Sequence, residues 1–239
     1  MNWKKIFKIY QLDYFALEKF QEKEGIKLFK DKTDFILTEK WCEEYKLGFN
    51  LLPLFTNNES DFVGVYTTGI LKGKVACVNH DNIDFAPRFR NLKSFMAKIN
   101  NSSIVFDWRE LGLDSFDYPN KRELSQREKE EEDKILTECW NLIGKRNFIS
   151  SCNYELIVGT ILNLTYPTDL EKVLCFLDDE NFFVQDKAIW IIGVFHQFLP
   201  AKEKVKKVAQ KSNNRLLLEQ CYNGEFKKEN ISIWKRIFS

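Results

Sequence analysis

Apolar residues first recur with helical spacing between Trp3 and Lys23, at Ile6, Phe7, Ile9, Tyr10, Tyr14, Phe15, Leu17 and Phe20. The run through Tyr10, Tyr14 and Leu17 predicts one amphipathic helix, with Gly25 as its stop. Ile26–Phe29 is short and compatible with a strand. Thr33–Tyr45 is periodic again through Phe35, Ile36, Leu37, Trp41, Cys42 and Tyr45, and Leu47-Gly48 closes a second helix.

The pattern then changes character. Leu51–Phe55 is an apolar run interrupted by Pro53, followed by the turn-forming Thr56-Asn57-Asn58-Glu59-Ser60. Asp61–Tyr66 has β-branched and aromatic residues at successive positions, as a strand covered on both faces does. Turn chemistry between Thr67 and Lys74 leads to a returning strand, Val75–Val78, so the two form a hairpin with a long loop. A polar elbow follows at Asn79-His80-Asp81. Leu92, Phe95, Met96 and Ile99 then have helical spacing. Helices, a small antiparallel sheet and a closing helix make an α+β architecture.

Ile104–Trp108 reads either as a last strand or as the start of a helix. Beyond Tyr118-Pro119-Asn120, ten of the thirteen residues Arg122–Lys134 are charged. Ser125 and Glu128 have capping-box spacing, which predicts a helix with a solvated, charged first half and a packed second half through Ile135, Leu136, Cys139, Trp140 and Ile143. From Asn153 onward every signal is helical. One face runs through Leu156, Ile157, Thr160, Ile161 and Leu164 to a stop at Tyr166-Pro167. A second capping box is expected at Thr168/Glu171. Phe182–Leu199 is apolar nearly all round between Ala188 and Phe195 and is expected at the centre of its domain. Helices over Ala201–Lys211 and Arg215–Cys221 complete the chain. Two domains follow, 1–118 (α+β) and 119–239 (helical).

Composition narrows the function classes. The chain has 239 residues, 36 basic against 35 acidic, for a net charge of +1. That balance offers neither the basic surface a nucleic-acid protein needs nor a polybasic attraction to anionic lipid. The start of the chain lacks the apolar stretch of a signal peptide, and no segment approaches the ~18 apolar residues of a membrane span. Cysteines 42, 77, 139, 152, 175 and 221 show no CxxC spacing and read as structural free thiols in a reducing cytoplasm. The many Lys, Asn, Ile and Phe residues suggest an AT-rich bacterial genome.

Two resemblances add to this reading. Leu17-Glu18-Lys19-Phe20, Gly25-Ile26-Lys27-Leu28, Leu52-Pro53-Leu54-Phe55, Asp61-Phe62, Gly73-Lys74-Val75, Asn79-His80-Asp81 and Phe89, Leu92, Phe95 together resemble the SUKH superfamily over residues ~1–110. Its members include fungal cell-wall regulators and bacterial immunity proteins against polymorphic toxins. The family's Asn-Gly turn after the second helix is missing, and Ser60 stands where Gly often precedes the Asp. Leu170–Val194 is similar to one HEAT-like repeat, through Leu174, Leu177, Asp178-Asp179, Val184, Ala188 and Ile192-Gly193; an unrelated helical bundle fits it nearly as well.

The SUKH resemblance implies a non-catalytic protein that binds a toxin domain and blocks it. Asp61, His80, Asp81 and Arg88 are the contacts it puts on the loop side of the sheet. Two other readings follow from the residues: an interaction scaffold or adaptor working through the helical domain, and a divalent-metal hydrolase built on Asp61, His80 and Asp81. For the last, the competing expectation is a loop that hydrogen-bonds its own backbone through Asn79, Asp81 and Asn82. There is no GxGxxG, no GxxxxGK[ST] and no GxSxG. No cofactor, no catalytic residue and no metal ligand set is therefore expected. Cys77, close in sequence to His80, is the remaining nucleophile candidate.

Overall fold

The structure, a computed structural model, describes residues 1–18, 20–57, 60–81, 83–100, 116–118, 124–145, 148 and 150–194. It divides into two compact units, Met1–Leu164 and Thr165–Ser239. The first is the α+β part, built on a four-stranded antiparallel sheet in the order β1-β2-β3-β4. Its strands are β1 (Lys27–Leu28), β2 (Leu51–Thr56), β3 (Phe62–Tyr66) and β4 (Val75–Val78).

Every residue of β3 is buried, so the sheet is covered on both faces there, as its unbroken apolar run implied. Pro53 sits inside β2 rather than ending it. Pro53 pairs with Gly64 and Phe55 with Val63, leaving Leu54 as an extra residue. Such a bulge lets a residue with no amide donor lie in a sheet. Gly64 is required opposite, because a Cβ there would come within 2.9 Å of the Leu51 side chain. β3 and β4 pair from Phe62↔Val78 to Val65↔Val75, connected through a single 3-10 turn at Gly69–Leu71. After the elbow the chain returns along the outer side of β4. Val75 N donates to Phe89 O (3.0 Å) and Phe89 N to Val75 O (3.1 Å), which covers an otherwise open strand edge.

The helices depart from the periodicity in one place. Instead of one helix over Trp3–Lys23 there are two, α1 (Trp3–Tyr10) and α2 (Phe15–Glu18). Gln11 turns left-handed (φ 53°), and Asp13 Oδ1 accepts the Phe15 amide at 2.9 Å, so local side-chain capping overrides a continuing apolar stripe. α3 (Lys32–Glu44) begins at Asp31, whose carboxyl is held below its usual range by the Thr33 and Asp34 amides. α4 (Leu92–Asn100) buries the four residues that its spacing selected, with Phe95 against Phe55 and Phe89.

α5 (Gln126–Lys145) starts at the expected capping box: Ser125 N donates to Glu128 Oε2 (2.9 Å) and Glu128 N to Ser125 Oγ (3.3 Å). Its charged first half is not wholly solvated, however. Glu132 is buried and pairs with Arg90 Nε at 2.6 Å, and Glu131 pairs with the buried Lys74. Asp117 and the Tyr118 ring lie against the same guanidinium. α6 (Ser151–Leu164) is tied to the α3–β2 turn by Ser150 Oγ donating to Tyr45 O (2.7 Å) and Gly48 N donating to Asn153 Oδ1 (2.7 Å). Asn163 Nδ2 donates to Pro87 O at 2.9 Å. The first compact unit therefore runs through α6, and the junction expected at 118/119 falls inside it.

In the second unit, a 3-10 helix (Pro167–Asp178) is followed by α7 (Phe182–Val194). Leu170, Val173 and Leu177 are buried in the first, and Val184, Ala188, Ile189, Ile191 and Ile192 in the second. The Thr168/Glu171 box is not used: Tyr166 caps this helix with no side-chain bond. Ile104–Trp108, the end of the helix expected to Leu199, His196, and the helices over Ala201–Lys211 and Arg215–Cys221 lie outside the described residues.

Candidate functional site

Antiparallel pairing of β3 with β4 brings the residue before β3 and the elbow after β4 to the same end of the sheet. Asp61 and His80 meet there for that reason. Asp61 is fully buried, and both its oxygens are engaged. Oδ1 accepts the His80 backbone amide (3.0 Å) and lies 2.6 Å from His80 Nδ1; Oδ2 accepts from Asn57 Nδ2 (3.0 Å). An ionised carboxylate only accepts, so Nδ1 is the protonated ring nitrogen. His80 Nε2 stands 3.2 Å from Asp81 Oδ1, an approach that protonation of Nε2 turns into a second ion pair.

Ser60 precedes this cluster with φ 71°, in the left-handed region that favours glycine. Asp81 N donates to Asn79 Oδ1 (2.8 Å), a short-range turn of the kind the sequence suggested. The result is graded: Asp61 is enclosed, the His80 side chain is 40% exposed and that of Asp81 is 77% exposed.

Arg88 belongs to a different cluster. Its backbone amide donates to Val75 O (2.8 Å), at the start of β4 rather than its end. Its Nη2 donates to Asp84 Oδ2 (2.8 Å), and its guanidinium lies 5.4 Å from the Phe116 ring centroid. Three of the four residues named from sequence are thus brought together, and the fourth is held elsewhere with only 15% of its side chain exposed.

Chemically, the cluster is a braced histidine on a polar rim. Among the described residues no three His, Cys, Asp or Glu side chains are grouped to hold a metal ion. Burial pushes the Cys77 thiol up to about 12, with Arg88 opposing and Asp84 reinforcing the shift, so it stays a thiol rather than a nucleophilic thiolate at neutral pH. Burial likewise moves Cys42 and Cys139 up to about 12. None of Cys42, Cys77, Cys139, Cys152 and Cys175 is in a disulfide. Among the described residues no helix is long and apolar enough to cross a membrane.

A second location carries no motif in the sequence. A cleft of about 320 Å³ opens where α3 ends and β2 begins, with Glu39 and Glu43 on its wall. Only the i, i+4 spacing of two glutamates could have signalled it. No protein-family model, curated protein or solved structure matches the chain.

Proposed function

We propose that the chain is a non-catalytic binding protein of the SUKH type, a cytoplasmic bacterial immunity protein that neutralises a toxin domain by covering it. The observation that carries this reading is the braced elbow. His80 and Asp81 present charge and hydrogen-bonding groups at the sheet end, while the buried Asp61 fixes them beforehand. Preordered polar groups lose little freedom on association and set charge complementarity with a partner. The left-handed backbone at Ser60, where the resembled family often has Gly, adds residue-level support. Asp61 acts within this reading as a positioning residue and His80 and Asp81 as contacts, whereas Arg88, paired with Asp84 at the start of β4, stands apart from this surface.

The test is capture of a partner by the tagged full chain from its native host, followed by expression of the partner's C-terminal domain alone. That domain is expected to kill cells, co-expression of the chain to rescue them, and His80→Ala with Asp81→Ala to weaken the complex about tenfold or more. A stoichiometric partner without toxicity overturns the immunity reading. It would favour the second one, an adaptor acting through the helical part. The specific observation for that alternative is the pair Phe182 and Phe183, 45% and 63% exposed at the start of α7.

A further inference from the structure

The cleft lies at the opposite end of the sheet from His80. Leu51 pairs with Tyr66 at that end, and Asn50 and Thr67 close it, whereas Thr56 pairs with Phe62 beside Asp61. Three features make it attractive to a cation. First, Glu39 and Glu43 are one helical turn apart on its wall, and among the described residues neither carboxylate takes a hydrogen bond or an ion pair. Second, the wall is the C-terminal end of α3, the negative end of the helix dipole. That end normally recruits basic residues, yet the last turn of α3 has none. Third, the aromatic residues Tyr10 and Phe49 are among those that line the same space. Phe49 packs edge-on to Tyr66 at 6.5 Å and covers Gly69, whose φ of +67° and lack of a Cβ leave room for it.

Like charges at i, i+4 on a helix that already ends in negative potential oppose folding. Burial, with Glu43 adding to it, moves the Glu39 carboxyl above its ordinary range, the direction expected of a carboxylate that lacks a counterion. Lys46, exposed on the rim with φ 49°, is the one cationic side chain among the lining residues.

We propose that this cleft receives an arginine side chain presented by a protein partner. A planar guanidinium can bridge two carboxylates and lie against aromatic faces, which a compact ammonium does less well. The proposal concerns a surface separate from the elbow and does not depend on the partner being a toxin.

The test is an amide-NMR titration of the full chain with acetyl-arginine-N-methylamide, against the neutral isostere acetyl-citrulline-N-methylamide. Shifts are expected at Glu39, Glu43, Phe49 and Thr67 with the arginine probe and not with citrulline. Glu39→Gln with Glu43→Gln keeps volume and helix propensity and is expected to weaken binding about tenfold or more. Lys46→Gly, which tolerates the positive φ, is expected to tighten it severalfold. Equal response to both probes, no response to either, or undiminished binding in the double Gln variant overturns the proposal. Arginine binding that survives loss of toxin neutralisation leaves it standing while removing the immunity reading.

Discussion

The two ends of the sheet handle negative charge in opposite ways. At the β3/β4 end, Asp61 is sealed from solvent and every oxygen has a donor, so the charge holds the local fold together. At the α3/β2 end, Glu39 and Glu43 stand beside each other and a helix C-terminus, and among the described residues neither forms an ion pair. A carboxylate that is fully hydrogen-bonded stabilises the molecule that contains it; one left open stabilises only a complex that has yet to form. The same residue chemistry is therefore structural at one end and available at the other.

Substitution should separate the ends by sign. The largest effect is expected from Asp61→Ala, which strands the His80 amide and Asn57 side chain beneath the elbow. It should lower unfolding free energy by about 3 kcal/mol in urea titrations; a loss near zero would erase the distinction drawn above. Next comes Glu39→Gln with Glu43→Gln, expected to raise stability by about 0.5 kcal/mol at neutral pH by relieving like-charge repulsion. Because the folded Glu39 carboxyl titrates above its unfolded value, the folded state holds more protons in that interval and wild-type stability falls as pH rises through it. The advantage of the double variant should accordingly fade as pH drops into and just above the ordinary glutamate range, a trend readable from parallel denaturation at stepped pH. Smallest is Asp81→Ala, whose exposed contact with His80 should be worth no more than about 0.5 kcal/mol by the same titration.

What the sequence revealed followed the range over which each feature acts. β3 was legible because Phe62, Val63, Val65 and Tyr66 are all apolar, and α5 because Ser125 and Glu128 define its start within four residues. The elbow was legible as polar, and its union with Asp61 follows once β3 and β4 pair. The break between α1 and α2 was hidden, since Tyr10, Tyr14 and Leu17 keep helical spacing across a gap made by Gln11 and Asp13. Arg90 with Glu132 was hidden for a different reason. The partners are 42 residues apart, and a glutamate inside a dense charge run looks like any solvated one until Arg90 is brought beside it. The cleft was equally invisible: Glu39 and Glu43 resemble an ordinary wet helix face until Tyr10, Phe49 and β2 enclose them.

That distant ion pair also has a temporal side. Arg90 and Lys74 leave the ribosome well before α5 exists, and both end up buried against it. At about 5–20 residues per second, Glu132 follows Arg90 by roughly 2–8 seconds of synthesis. During that interval the emerging sheet must keep two cations hydrated that it will later enclose. The face that α5 covers therefore stays open to water until α5 arrives, and the burial of these two cations is timed by translation rather than by the strands themselves.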